Sequence, residues 1–592
     1  MRGDGTWVSV VRHDMTLLSP STSTCLVLCR GVVVVALGGV LGCAGGDPSP
    51  PDSPGSPTPI DSGSTSTAST GTLESAAPTA DSGTPSPTGV PVEVVASDPI
   101  VCTDPSQRAA APFDVIRSRE EREKKNWFWG AGAIVGHFDA DAHLDVLLPG
   151  FWETYLYRGQ PADLFDDHTD DLAGLPLAGA AGGSTADYDG DGDMDVLVTR
   201  FLAPDVLLRN DGGQFVDVSE AAGIQRESKR SIASSWGDID ADGDLDLFVG
   251  GYGVIDQSRE DPDHANFDPG DPAALYLNNG DGTFTDVSDR LPAEAHDGLT
   301  FTGGFVDVDL DGALDLYIVN DFGNSFPNVL LRNQGDGTFL LHPEAGLDIA
   351  MTGMGVAIGD LNGDLFPDFA MGAWNGNHLL KSTAVGWVDY TDAVGFVNDL
   401  DRTQKIGWGV EFHDLDNDGD LDMPMVYGHL DATYESSERQ PDAMYLQHAD
   451  GTFEDVGQDW GFNHPTVGRG FVVADLDDNG WLDVVKRDLA GPSLVYVAKC
   501  GEAHWLRVRL HQGGMNRFAV GARVEFEVAG DSALRSRTVL AGSAGHASGP
   551  PPEVHVGLGD AAATTVRVVW PDGEVSVLPN VAADRILDIH RL

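Results

Sequence analysis

Hydrophobic and polar positions recur along this chain in one composite pattern. A stretch of glycine, alanine and small apolar residues, such as Gly130-Ala131-Gly132-Ala133-Ile134-Val135 or Gly353-Met354-Gly355-Val356-Ala357-Ile358, runs into an aspartate-rich turn. An apolar segment follows at once, as in Val146-Leu147-Leu148 or Leu247-Phe248-Val249. A third comes next, as in Val206-Leu207-Leu208-Arg209-Asn210 or Leu275-Tyr276-Leu277-Asn278-Asn279. An Asp-Gly turn then leads to a fourth, as in Phe215-Val216-Asp217-Val218 or Phe284-Thr285-Asp286-Val287. Turn dipeptides between short apolar runs favour hairpins, so each unit predicts four antiparallel strands. The unit occurs seven times at a period of 50 to 69 residues, near the range at which a repeat means propeller blades or a solenoid. Small residues in the first strand suit the innermost position of a blade, where sheets converge on an axis. The predicted fold is all-β: a seven-bladed β-propeller over residues 101–500. The seventh unit lacks a fourth strand, and Phe113-Asp114-Val115-Ile116, ahead of the first unit, echoes the missing piece. Closure there brings Cys102 and Cys500 to one seam as a predicted disulfide.

The aspartate turn carries the candidate chemistry. Its pattern is DxDxDGxxD, with carboxylates at positions 1, 3, 5 and 9 able to converge on one hard cation, and oxygen-only ligation selects calcium. The ligand sets are Asp187, Asp189, Asp191, Asp195; Asp238, Asp240, Asp242, Asp246; Asp307, Asp309, Asp311, Asp315; and Asp414, Asp416, Asp418, Asp422. Two sets carry one asparagine, Asp360, Asn362, Asp364, Asp368 and Asp475, Asp477, Asn479, Asp483. The first is degraded to His137, Asp139, Asp141, Asp145, with Ala142 at position 6. Glycine at position 6 supplies the positive φ of a tight turn, and the fifth loop has Leu365 there. Up to seven Ca2+ are expected, weakest at loops one and five. Isolated acidic turns are ordinary solvated surface; here the turn recurs in register, always with an apolar residue at position 2. An EF-hand needs Glu at position 12 and a following helix, and neither is present.

Past residue 500 the pattern changes. Leu506-Arg507-Val508-Arg509-Leu510 and 522–528 alternate apolar and polar residues, predicting a small antiparallel β-domain over 501–592 with a turn at Pro571-Asp572-Gly573. At the other end, residues 31–42 are an apolar run too short to span a bilayer but suited to a signal-peptide core. Val40-Leu41-Gly42-Cys43 resembles a bacterial lipobox, which implies residues 1–43 as a leader and lipidation at Cys43. Residues 44–100 read as a Pro/Ser/Thr/Gly linker too polar to order itself. The formal charge of −58 excludes nucleic acid and anionic membrane surfaces as partners, leaving a membrane role only through the lipid anchor. Together these predict an exported protein on the bacterial outer membrane or cell surface, or a secreted or periplasmic one.

The repeats resemble the FG-GAP and VCBS repeats of integrin α-subunit propellers and many bacterial surface proteins, over about residues 105–500. The tail resembles the ASPIC/UnbV domain that follows such propellers in the cartilage acidic protein family. The residues behind that resemblance are His504-Trp505-Leu506-Arg507-Val508, Asn516-Arg517, Gly542-Ser543-Ala544-Gly545 and Val554-His555-Val556-Gly557-Leu558-Gly559. The resemblance implies a calcium-bearing propeller.

The mature region contains no GxSxG, HExxH, phosphate-cradling loop or CxxC pair, and Ser543 with His546 lacks an orienting acid. A calcium-binding, surface-tethered binding or scaffold protein is therefore expected, with no enzymatic activity; the alternative is a secreted polysaccharide hydrolase or lyase. Calcium loops join strands one and two on one face, so partner recognition is expected on the other. Its longer loops carry Tyr252, Phe322, Trp374, Asn375, His378, Tyr427 and Tyr434, groups that stack on a glycan or anchor a protein partner.

Overall fold

The computed structural model describes residues 88–592 apart from 111, 118–130, 161–163, 225–228, 253, 256–266, 269–271, 297, 324, 375, 397–404, 430–438, 529–533 and 543–544. The leader with Cys43, most of the linker, Asn375, Tyr434 and Ser543 lie outside the described residues. No helix among the described residues is long and apolar enough to cross a membrane.

Among these residues the chain is all-β: the repeat region forms five separate four-stranded antiparallel sheets, while the second and third repeats, sheets two and three, join edge to edge in one nine-stranded sheet through Lys229–Arg230 and Phe201–Ala203. Sheet one runs Ile134–Gly136, Asp145–Leu148, Tyr155–Gln160, Leu164–Asp167. The first strands of the next six are Ala180–Ala186, Lys229–Gly237, Thr300–Val306, Gly353–Gly359, Gly407–Val410 and Gly468–Ala474. Sheet seven has its fourth strand from far upstream: Phe113–Arg117 pairs antiparallel with Leu494–Ala498, Phe113 opposite Ala498. Beside that seam Cys102 and Cys500 form a disulfide with Cα atoms 5.5 Å apart. First strands touch their neighbours directly. The Gly132 amide donates to the Ala181 carbonyl (3.2 Å), and the Gly470 amide to the Ala131 carbonyl (3.0 Å), linking sheets seven, one and two.

The apolar residue at position 2 of each aspartate turn is buried in every unit. Tyr188, for example, packs with Trp236 and Phe284 of sheet three, and Ile239 with Phe305 of sheet four, so each turn wedges apolar surface between its own sheet and the next. That is why the position is never polar.

The tail folds as two sheets around one core that includes Leu506, Val524, Val556 and Trp570. It departs from the expected purely antiparallel domain. His504–His511 pairs parallel with Arg585–Arg591, and their antiparallel partners, Glu553–Gly559 and Val92–Ala96, lie on the outer sides of that pair. The linker expectation is also corrected at its end. Thr88–Gly89 and Val92–Ala96 add as edge strands to the tail's two sheets, opposite Ser576–Val577 and Leu587–Arg591. The β-branched Val92-Glu93-Val94-Val95 favours a strand, a local preference lost in the average composition of the longer polar stretch.

Ala541–Gly542 and residues 545–549 leave the tail and lie among the first strands. Ala541–Gly542 pairs with Ser235 and Trp236, Gly545 bridges to Val356, and Gly549 to Ile134. A Cβ on Gly132 would fall 1.7 Å from the Ala547 carbonyl oxygen, and one on Gly470 2.3 Å from that of His546. The glycines of the first strands therefore make room for a piece of the tail as well as for one another.

Candidate functional site

Each aspartate turn is built by its own carboxylates before any cation is considered. At position 9, the buried Asp195 accepts the Tyr188 amide on Oδ2 (3.2 Å) and the Asn210 amide on Oδ1 (2.8 Å), tying the turn to the end of the third strand. The same double acceptor recurs in all seven units: Asp145, Asp246, Asp315, Asp368, Asp422 and Asp483 each take the position 2 amide and an amide from strand three or just past it. At position 1, Asp187 accepts the amides of Asp191 (3.1 Å) and Gly192 (3.0 Å). Asp238, Asp307, Asp360 and Asp475 do likewise in their loops. In loops two to seven positions 4 and 6 both adopt positive φ, as at Gly190 (71°) and Gly192 (102°) in loop two. In loop five the non-glycine Leu365 is forced to 76°.

The same carboxylates converge. Groups of three donor oxygens, all within 4.8 Å of one another, occur at Asp187, Asp189, Asp195; Asp238, Asp240, Asp246; Asp307, Asp309, Asp311; Asp414, Asp416, Asp422; and Asp475, Asp477, Asp483. These groups could hold a metal ion, and among the described residues loops one and five form no such group. The donor set fits a hard cation. Oδ1 of Asp189, Asp240 and Asp414 is buried with no hydrogen-bond partner, which is costly for a carboxylate unless something positive meets it. The electrostatics agree. Burial, reinforced by neighbouring carboxylates, pushes Asp187 up to about 7 and Asp195 to about 9; burial likewise raises Asp238 to about 6 and Asp246 to about 8.

Two arginines at equivalent positions of the third strand enter turns. In sheet one the buried Arg158 donates to Asp145 Oδ2 (2.9 Å) and to the Gly213 carbonyl (2.8 Å), with Nε 3.6 Å from Asp139. Its guanidinium stands where a cation would, beside His137, which replaces the position 1 carboxylate and whose Nδ1 is engaged by the His143 carbonyl (3.0 Å). In sheet four the more exposed Arg332 reaches Asp311 (3.1 Å) and Asp315 (3.0 Å).

The tail covers the same face. Arg517 donates to the Gly190 carbonyl (3.0 Å) in loop two, and the Asn516 amide to Gly243 (3.0 Å) in loop three. At loop six the Gly557 amide donates to Asp414 Oδ2 (2.8 Å), and Arg535 to the Asp418 carbonyl (3.1 Å). At loop seven Arg507 lies 3.2 Å from Asp475 Oδ2 and pairs with Asp478.

On the opposite face the expected recognition residues divide. Tyr252 and Tyr427 belong to the core, which corrects their assignment as binding groups. The Tyr252 hydroxyl donates to Asp321 (2.7 Å) and its ring packs 4.7 Å from Phe301; the Tyr427 hydroxyl accepts from Asn377 (3.1 Å). Phe322 and His378 are half-buried, the latter held by Asp389 (2.8 Å), while Trp374 is exposed. Trp152 was missed. It is 58% exposed in the corresponding loop of unit one, edge-on to Phe151 at 4.8 Å, and applying the loop rule to Pro149-Gly150-Phe151-Trp152 finds it. The strand-three amides Asn210, Asn278 and Asn333 were missed as well. Each side chain donates to the position 2 carbonyl of the preceding unit (3.0, 2.9 and 2.7 Å), and the sequence signal is an Asn just before the Gly-containing turn. His546 is fully buried with Nδ1 on the Met354 carbonyl (2.7 Å), against Trp408 and Phe301, which gives it a structural place in the core.

Comparison with known proteins is consistent with this arrangement. Residues 307–371 match the FG-GAP-like repeat family, and residues 512–591 match the ASPIC and UnbV family. Cartilage acidic protein 1 of Homo sapiens is 31% identical over 280 residues, covering 46% of this chain and 40% of that protein. Its Xenopus tropicalis counterpart is 30% identical over 275 residues, covering 44% and 40%. This chain thus matches about two fifths of the length of these relatives. Solved structures lie further away. A lectin of Agrocybe aegerita that recognises non-reducing terminal N-acetylglucosamine is 16% identical with a TM-score of 0.38, covering 56% of this chain and 82% of that one. Sqt1 of Saccharomyces cerevisiae is 12% identical with a TM-score of 0.39, covering 66% and 100%. Likenesses of that size carry no weight for the ligand. The chain carries an FG-GAP-like repeat at 307–371 and an ASPIC and UnbV segment at 512–591, and in this combination it is similar to cartilage acidic protein 1.

Proposed function

We propose that the chain is a calcium-stabilised seven-bladed β-propeller that works outside the cell as a binding or scaffold module. The observation behind this reading is the recurrence, at one place in repeated sheets, of three convergent carboxylate oxygens with buried unpartnered lone pairs. Asp187, Asp189 and Asp195 would hold one ion, and the equivalent residues of loops three, four, six and seven the others. Calcium there would neutralise crowded carboxylates and lock the turns; it would do no chemistry. Loops one and five are removed from the expected seven, loop one because Arg158 fills it and loop five because, among the described residues, no three of its carboxylate oxygens converge. Export is supported by the Cys102–Cys500 disulfide, since such bridges persist in oxidising compartments. Lipidation at Cys43 remains part of the proposal, and Cys43→Ser should move the protein out of the membrane fraction.

A protein or glycan partner would meet the face opposite the calcium turns, where Trp152 and Trp374 are exposed. Calorimetric titration of chelator-stripped protein should show several calcium sites, and chelation should lower the melting temperature by many degrees. Equal melting curves in calcium and chelator would discard the reading. For the partner face, Trp152→Ala with Trp374→Ala should abolish binding to whatever a glycan array or surface-protein screen identifies, with calcium-dependent melting unchanged. Retained binding would move recognition elsewhere.

A further inference from the structure

Between the tail and sheets four to seven lies a cavity of about 220 Å³. By the volume one water needs, it admits on the order of fifteen waters, enough for a small organic molecule. Its walls are partly apolar, from Val356, Phe412, Val473 and Val554, and partly charged. Four of its lining residues each keep a buried polar atom without a hydrogen-bond partner: Glu411 Oε1, Arg507 Nε, Arg537 Nε and His555 Nδ1. Two come from the tail's strands around Arg507 and Arg537, one from the tail's His555 and one from sheet six. Buried polar groups are normally satisfied, and four orphans around one cavity are more than chance scatter leaves.

The chemistry of the four is complementary. An arginine Nε carries a hydrogen and only donates, and that of Arg507 lies 3.7 Å from Glu553 Oε2, beyond hydrogen-bond distance. The carboxylate Oε1 of Glu411 accepts, and its other oxygen is already taken by His413 Nε2 (2.7 Å). His555 has its Nε2 on Asn417 Oδ1 (2.8 Å), while the Asn417 amide nitrogen donates to the Gly480 carbonyl (3.0 Å). Asn417 Oδ1 is therefore the acceptor and His555 Nε2 the donor, which leaves Nδ1 of the neutral ring as an acceptor. Two cationic donors and two acceptors on one cavity, with Arg507 directly opposite His555 in the tail's sheet, describe a ligand with an anionic group and hydroxyls close together.

We propose that this cavity is a binding site for an acidic monosaccharide or a hydroxy acid of that size. The anionic group would meet Arg507 and Arg537, and hydroxyls would donate to Glu411 and His555. The site exists only with the tail docked on the sheets, which assigns the tail a share in recognition. It is separate from the opposite loop face but borders the calcium turns, since Arg507 also lies 3.2 Å from Asp475 Oδ2 and His555 is held by Asn417 of loop six.

Titration calorimetry of the full calcium-loaded chain with D-glucuronate, D-glucose 6-phosphate and D-glucose tests it. Saturable binding of one of the two acids, with D-glucose at least tenfold weaker, is expected, and which acid binds identifies the anionic group. Glu411→Gln should weaken that binding at least tenfold while leaving the calcium-dependent melting midpoint in place. Ile358→Trp, which fills the cavity from sheet five, should abolish it. Absence of saturable binding to either acid would mean that the cavity holds only water and would overturn the proposal. So would acid binding that survives both substitutions.

Discussion

Loops one and two occupy the same place in adjacent sheets and solve the same electrostatic problem differently. Loop two keeps all four aspartates and crowds them, so that Asp187 and Asp195 are pushed far above the ordinary carboxylate range by burial and by each other. Loop one has His137 in place of the first carboxylate, and the buried guanidinium of Arg158 sits against Asp145. The charge a calcium ion would bring to loop two is, in loop one, covalently part of the chain. The loops also share a feature that owes nothing to metal: the position 9 carboxylate staples the turn to strand three in both. An aspartate turn is thus held by backbone hydrogen bonding whether or not its carboxylates converge on a cation site.

The largest expected effects strike the staple. Asp195→Ala strands two buried amides and should cost about 4 kcal/mol in urea unfolding, taking about 1–3 kcal/mol for each unsatisfied group. Asp145→Ala should cost about 5 kcal/mol, because it also leaves Arg158 without its buried partner. A loss under about 1 kcal/mol at either position would show that the hydrogen bonds are dispensable.

Next comes pH. In chelator the folded chain holds protons on loop two carboxylates up to about pH 7–9, whereas unfolded carboxylates release them near 4. The folded state therefore binds more protons across that window, and stability should fall as pH rises from about 4 to about 8. Calcium binds the deprotonated form, so millimolar calcium should flatten the fall. Melting temperatures at pH 5 and pH 8, with and without chelator, decide this; a chelated protein more stable at pH 8 would reverse the sign.

The direct comparison of the two loops is smaller. With an affinity of about 0.1 mM, typical of extracellular modules, about 1 mM calcium stabilises a site by roughly 1.4 kcal/mol. Asp191→Ala should lose that increment and Asp141→Ala should not, as read from the calcium-dependent part of the unfolding free energy. Equal losses would mean that loop one binds calcium despite Arg158. Smallest is Leu365→Gly in loop five, which relieves a left-handed non-glycine residue and should stabilise by about 1 kcal/mol in the same assay.

The tail differs from the repeats in charge as well as in fold. It has nine arginines against ten acidic residues, in a chain whose totals are 35 basic and 93 acidic. Its arginines point at the turns. Arg517, Arg535 and Arg507 reach loops two, six and seven, so part of the repeats' acidity is met by the tail.

The repeat, the four strands of each unit, the closing strand at Phe113 and the pairing of Cys102 with Cys500 were legible because each rests on local periodicity or on a count of two. The convergent aspartates were legible for the same reason: spacing along a nine-residue turn fixes which oxygens can meet. Other features depend on residues that meet only in space. Arg158 entering loop one, the Asn210 clamp between units, Tyr252 turning inward to Asp321, and the tail's Ala541–Gly542 pairing with a first strand are contacts across 13 to several hundred residues. Local chemistry chose the turns and strands; long-range packing chose which polar groups met a partner and which were left facing a cavity.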